Sequence, residues 1–190
     1  LQYHFTPVYS EWQNRKIHLE QGYVLACDHL RPKSRGEIKL RSADPYDRPA
    51  SYFNYMSHPD DTKELVEALK VMLDLLTQPA FDEFRGKRIW PAPHLQSDSE
   101  LEAWVRAYSS TDYHPSGTCR MGHDDLAVVD EELRVRGVDQ LRVVDASVMP
   151  DIVSGNLNAP TQMIGERAAD YILGKPQLPR EKARFHFLEA

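Results

Sequence analysis

The sequence predicts an α+β fold, an antiparallel sheet with helices packed on it, and three observations carry that expectation. Polar and apolar side chains alternate through the first fifty residues, two stretches with helical apolar spacing follow behind capping signals, and short β-branched runs then lead to a last helix. A chain of 190 residues that is 41% hydrophobic can bury one substantial core, so one domain, or one domain and a fragment, is expected.

The strands are read from Tyr3-His-Phe, Tyr23-Val-Leu-Ala-Cys27 and Glu37-Ile-Lys-Leu40, where aromatic and β-branched residues alternate with polar ones. Gly36, Asp44-Pro45 and Arg48-Pro49 punctuate them as turns. Ser57-His-Pro-Asp60 announces the first helix as a hydroxyl cap with an acid three residues on, and Leu65, Leu69, Met72 and Leu76 form its buried stripe. Ser97-Asp-Ser-Glu100 repeats the signal ahead of Leu101, Trp104 and Val105. Between these helices Trp90-Pro-Ala-Pro-His94 reads as a rigid surface segment.

Beyond Ala127, the runs Val128-Val129, Leu133-Arg-Val135 and Leu141-Arg-Val-Val144 read as short strands or extended runs around a turn at Gly137. A loop with Pro150, Gly155, Asn156 and Asn158 leads to Pro160, which suits a first helical turn because the N–H it lacks would be unpaired there. Met163, Ile164, Ala168 and Ile172 mark that helix's buried face and Gly174 ends it. The tail, residues 175–190, mixes Arg180, Lys182 and Arg184 with Phe185 and Phe187 and reads as a solvated, partly disordered end with at most a peripheral membrane contact.

Composition narrows the function classes. A net charge of -6 and a pI near 5.7 leave no basic stripe for a phosphate backbone, so nucleic acid is not expected as a partner. Two cysteines, Cys27 and Cys119, are too few for a disulfide scaffold or a four-thiolate metal site, and a reduced, cytoplasmic chain is expected, at most peripheral to the inner membrane. No apolar run reaches bilayer-spanning length, and Leu1-Gln-Tyr-His is neither a start methionine nor a signal peptide, which suggests part of a longer chain.

The densest chemistry lies in His114-Pro-Ser-Gly-Thr-Cys-Arg-Met-Gly122. A zinc site would recruit His114, Cys119 and His123, but the close paired ligands of structural sites are missing. A cysteine nucleophile would need Cys119 as thiolate beside a base, while an extended run sends His114 and Cys119 to opposite faces. Taken alone, His114 reads as a half-buried histidine satisfied by a backbone partner.

It is not alone: Leu141-Arg-Val-Val-Asp-Ala-Ser-Val-Met-Pro150 and Ser154-Gly-Asn-Leu-Asn-Ala-Pro-Thr161 follow it. Together these stretches resemble the C-terminal signature of the glucose-methanol-choline (GMC) oxidoreductase family over residues 112–173, with weaker likeness through Arg35–Pro45 and Asn54-Tyr55. Within the family the sequence is similar to the choline dehydrogenase and aliphatic alcohol dehydrogenase branch. The resemblance implies three regions: residues 1–111 as part of a substrate-binding cap domain, residues 112–174 as the strand and helix portion that completes an FAD-binding domain, and residues 175–190 as the tail.

The resemblance also implies FAD-dependent oxidation of a primary alcohol, aliphatic or choline, to the aldehyde. His114 matches the catalytic histidine that takes the hydroxyl proton while hydride leaves for flavin N5. Asn156 matches a family position held by His or Asn, whose side chain steadies the alkoxide-like oxygen; its amide donates a hydrogen bond but cannot replace His114 as base. Asn158, Pro160 and Thr161 match the loop and helix start beside the flavin ring, and Asp145 and Ala146 match positions near its ribityl and phosphate portion.

One departure counts as much. No two glycines stand two residues apart, so the G-x-G-x-x-G cradle for a dinucleotide pyrophosphate is missing, and FAD is expected to be bound mainly by an N-terminal half absent from this chain. Isolated from that half, the chain would be a substrate-binding or interaction domain without activity. Oxygen and a quinone both stay open as electron acceptors. For the substrate, Tyr9, Trp12, Tyr52 and Tyr55 could cage a quaternary ammonium or simply pack in the sheet, and Cys27–Arg35 looks more like the aliphatic-alcohol members.

Overall fold

The computed structural model describes residues 1–13, 16–179 and 181, with backbone alone for 10–13 and 16–18. The Phe185 and Phe187 reading of the tail therefore lies outside the described residues, as does the side chain of Trp12. The fold is α+β. It divides into two units, Leu1–His114 with Ile152–Gly155, and Pro115–Asp151 with Asn156–Ala190.

The first unit carries six strands among its described residues: β1 (Gln2–Thr6), β2 (Tyr9–Gln13), β3 (Lys16–Glu20), β4 (Val24–Asp28), β5 (Glu37–Lys39) and β6 (Ala50–Tyr52). They do not join one sheet as the alternation suggested but pair as three antiparallel ribbons, β1 with β4, β2 with β3 and β5 with β6. Registers are set across each pair, for example Tyr3 opposite Cys27 and Ile38 opposite Ser51. Gly36 does not turn the chain. A Cβ there would stand 2.3 Å from the carbonyl oxygen of Tyr52, so glycine is needed for the close approach that starts β5–β6.

Helices α1 (Pro59–Leu75) and α2 (Asp98–Tyr108) pack on one another. Val66, Leu69, Leu101 and Val105 form the buried centre, with Leu65, Met72, Leu95 and Trp104 packed against it. Each fully buried aliphatic side chain of this kind contributes about 1.5–3 kcal/mol. The α1 cap corrects the sequence reading: His58, not Ser57, is the N-cap, and its Nδ1 accepts the Asp60 N–H. The reason is Pro59, whose fixed φ and missing N–H suit the first helical position and leave capping to the residue before it. In α2 the reading holds, with Ser97 and Glu100 forming a reciprocal capping box.

Trp90–His94 is not wholly a surface segment, because Pro91 is buried and Leu95 just beyond it joins the core. Trp90, Tyr108 and Trp104 stack in sequence, at 5.0 and 5.3 Å between ring centroids.

In the second unit the predicted strands over 128–144 reduce to extended runs joined by isolated bridges, Val129 with Val135 and Arg134 with Arg142. Helix α3 (Asn158–Leu173) buries Ile164 and Ala168, as expected, but Met163 and Ile172 are 59% and 61% exposed. Met163 instead lines an open apolar groove of about 350 Å³ with Met121, Leu133, Ile164 and Tyr171. Gly174 ends α3 in the left-handed conformation, with Lys175 N–H bonded to Asp170 O at 2.9 Å. No helix among the described residues is long and apolar enough to cross a membrane.

Candidate active site

His114 closes the first unit at the end of a tight turn. The Tyr113 N–H donates to Thr111 Oγ1 at 3.0 Å, and Tyr113 takes a left-handed φ of 59°. The His114 side chain is 29% exposed, with Nε2 standing 3.8 Å from Asp112 Oδ2. An exposed carboxylate at this range offsets positive charge on the ring without burying an ion pair.

The residues that follow are tied down by main chain. Within the second unit, Gly117 N–H donates to Ala146 O, Cys119 N–H to Ser147 O and Met121 N–H to Val148 O, at 3.4, 2.9 and 2.8 Å. Gly117, at φ 84°, permits this approach, since a Cβ would lie 3.3 Å from Met149 O. The ladder works whatever side chains its residues carry, which explains why Cys119 and Arg120 act as structure. Arg120 instead grips Asp124 with two hydrogen bonds of 2.9 and 2.5 Å. That grip, helped by the Leu126 N–H, holds the Asp124 carboxyl down to about 2.

The partner strand of the ladder carries Asp145 and Ala146. Asp145 caps a single helical turn, Ala146–Val148, by accepting the Ser147 N–H at 2.7 Å. Val148 is fully buried and α3 packs on this turn, so the positions of Asp145 and Ala146 are set by the core beneath them.

Asn156 is exposed, between Gly155 and the buried Leu157 that anchors the start of α3. Leu157 makes no side-chain cap. A helix start of this kind turns its first-turn N–H groups, here those of Asn158 and Ala159, beyond the helix end with partial positive charge. Pro160 has no N–H and so leaves no donor there. Asn158 Oδ1 accepts from Gln162 Nε2 at 3.0 Å, and Thr161 Oγ1 donates to Leu157 O at 2.6 Å. An uncapped helix start bearing an amide and a hydroxyl fits the anionic edge of a reduced flavin ring.

Asp145 and Ala146 are thus fixed to the segment three residues beyond His114, and Asn156, Asn158, Pro160 and Thr161 cluster at one helix start. His114 and Asn156 belong to different units. The apolar groove contains none of the seven.

Sequence reasoning missed two features. One is the Thr111–Tyr113 turn, for which an isolated tyrosine gives no signal. The other is Asp61, a nearly buried carboxylate that accepts the Lys33 and Ser34 N–H groups, both at 2.8 Å. Burial alone would push the Asp61 carboxyl up, but these bonds outweigh it and leave it below the ordinary carboxylate value. His29, 10% exposed, lies over the same helix start with Nε2 3.0 Å from Glu64 Oε2. The second acid in the first turn of α1 was the available signal for this anchor.

Comparison with known proteins shows that the family model for GMC oxidoreductase matches residues 32–165. An oxygen-dependent choline dehydrogenase from Escherichia coli O45:K1 (strain S88 / ExPEC) is 46% identical over 185 residues, covering 97% of this chain and 33% of the relative. The chain therefore spans about a third of the length of the curated relatives it matches. Among solved structures, an Aspergillus oryzae RIB40 formate oxidase characterised for modification of its FAD is 32% identical with a TM-score of 0.75, covering 86% of this chain and 28% of that one. An FAD-dependent oxidoreductase from Chaetomium thermophilum is 29% identical with a TM-score of 0.72, covering 80% and 26%.

Proposed function

This chain belongs to the GMC oxidoreductase family, and on that premise we propose that it supplies the proton acceptor and the flavin-side helix start of an FAD-dependent alcohol dehydrogenase. Bound FAD supplies the hydride acceptor. The imidazole of His114 takes the alcohol proton, and the Asp112 carboxylate offsets the charge the ring then carries. The Asn156 amide donates to the oxygen as negative charge develops on it, a role open to a donor that is no base. The first turn of α3, through Asn158, Pro160 and Thr161, favours the anionic cofactor edge, and Asp145 and Ala146 hold the backbone that faces its ribityl and phosphate portion.

The observation that carries this reading is the main-chain ladder from 117–121 to 146–148, which makes the segment after His114 and the turn bearing Asp145 and Ala146 one fixed piece of backbone. A primary alcohol of the choline or aliphatic class is the proposed substrate. The 46% identity to choline dehydrogenases supports the first of these, whereas the Cys27–Arg35 run supports the second.

The test is dye-coupled turnover by the full-length enzyme with choline and with aliphatic primary alcohols. His114→Ala is expected to cut turnover by about 10²–10⁴-fold and Asn156→Ala by about 10²-fold, with flavin content unchanged. Near-normal turnover by His114→Ala sinks the assignment. Without a glycine-rich phosphate cradle, the 190-residue chain alone is expected to lose FAD on purification. Stoichiometric yellow flavin on that chain refutes the division of labour.

A further inference from the structure

We propose that Thr111 is a positioning residue for His114, acting through the left-handed turn at Tyr113; this rests on the reading of His114 as the proton acceptor. Tyr113 has a φ of 59°, a region that glycine and asparagine enter readily and a bulky aromatic does not. Its ring is 83% exposed, so packing of the ring does not hold it there. The hydrogen bond that does is local: Tyr113 N–H to the Thr111 hydroxyl at 3.0 Å, from a half-buried threonine. Unfavourable backbone of this kind persists only where neighbouring interactions impose it.

The next residues show why the turn matters. His114 precedes Pro115. The proline ring fixes its own φ and confines the residue before it to extended backbone, so His114 has little freedom of its own. The direction of its imidazole is therefore set one residue earlier, by the torsions of Tyr113. In the turn as built, that direction leaves the ring partly covered, with Nε2 3.8 Å from Asp112 Oδ2. A Tyr113 relaxed to negative φ would carry His114 to another direction.

The full-length enzyme with its FAD tests this as a double-mutant cycle. Thr111→Val removes the acceptor at nearly constant volume, and Thr111→Ser keeps it. Thr111→Val is expected to lower kcat by about 10- to 100-fold, the scale of a misplacement near 1 Å, with KM and bound FAD unchanged. Thr111→Ala carries the same expectation, and Thr111→Ser stays within about 3-fold of the parent. In a Tyr113→Gly background, where left-handed φ carries no penalty, Thr111→Val is expected to change kcat by less than about 3-fold, whatever Tyr113→Gly does by itself.

The inference is overturned if Thr111→Val leaves kcat intact, if the loss falls on KM or flavin content, or if it persists undiminished in the Tyr113→Gly background. His114→Ala is run alongside. Turnover by that variant defeats the proton-acceptor reading itself, whereas an inactive His114→Ala with flat Thr111 arms defeats only the positioning role.

Discussion

Replacing Asp61 with asparagine changes almost no volume and removes one acceptor from a buried site. The carboxylate now receives the N–H groups of Lys33 and Ser34, one on each oxygen and both at 2.8 Å, while the residue is only 2% exposed. An asparagine offers one oxygen to one N–H and turns its own NH₂ on the other. The orphaned donor costs about 1–3 kcal/mol, and the surviving bond loses roughly 1 kcal/mol with its charge assistance. Asp61 also sits in the first turn of α1, where a negative charge is worth about 0.3–1 kcal/mol against the helix dipole. Asp61→Asn is thus expected to destabilise by about 3 kcal/mol, which at a urea m-value near 2 kcal/mol/M lowers the unfolding midpoint by about 1.5 M. Asp60→Asn is the control, since the exposed Asp60 bonds only to Lys33 Nζ and the helix start, and its midpoint is expected to move little. Tryptophan fluorescence against urea reads both. A midpoint shift below about 0.3 M for Asp61→Asn refutes the view that this carboxylate fastens the 33–34 segment to α1.

Acid provides a second test, with the sign fixed by depressed carboxyls. The Glu100 carboxyl is held down to about 2 from an ordinary 4.5, first by the Ser97 hydroxyl and then by the N–H groups of Ser97 and Gln96. Its contribution, like that of Asp61, is complete above the unfolded value and is lost as pH falls through the folded one. Urea midpoints are therefore expected to be insensitive to these groups between pH 5 and 8 and to decline from about pH 4.5 towards about 2, less steeply in Glu100→Gln; an equal acid slope in both proteins contradicts the assignment. At Gly36 an added Cβ would meet Tyr52 O at 2.3 Å and Phe53 O at 2.9 Å, both main-chain atoms that cannot swing aside. Gly36→Ala is expected to cost about 1–3 kcal/mol of overpacking, measured in the same denaturation series, and a neutral result shows that the β5–β6 ribbon yields more easily than its geometry implies.

What the sequence made legible is what local chemistry decides. The Ser97–Glu100 box, the Gly174 stop and the strands at Tyr3 and Tyr23 each depend on residues within a turn or a ribbon, and each appears where its pattern stands. The Ser57 cap failed for an equally local reason, the proline two positions on. The larger misses involve partners that no short window contains. Asp61 reads as a helix-start acid, yet its worth lies in two N–H groups from residues 33 and 34. Gly36 reads as a turn, yet it answers to the Tyr52 carbonyl. Met163 and Ile172 keep the helical spacing of a buried face, but spacing cannot say how wide the covered stripe of α3 is, and only Ile164 and Ala168 are buried.

The candidate site follows the same division. Of its seven residues, only Pro160 is placed by its intrinsic backbone preference. His114, Asn156, Asp145 and Ala146 lie outside the long helices and all strands, where propensity says little and where binding and catalytic groups concentrate. Their order comes from main-chain bonds, 117–121 onto 146–148, and from a hydroxyl two residues before Tyr113. Such bonds do not depend on which side chains ride on the ladder, so the stretch from His114 to Gly122 can hold a cysteine and an arginine that do no chemistry. Direction, by contrast, does depend on particular side chains. A histidine confined by the proline after it can be aimed only by the residue before it, and a tyrosine held left-handed needs a hydroxyl to hold it there. The chemistry proposed for His114 is therefore only as exact as Thr111 makes it.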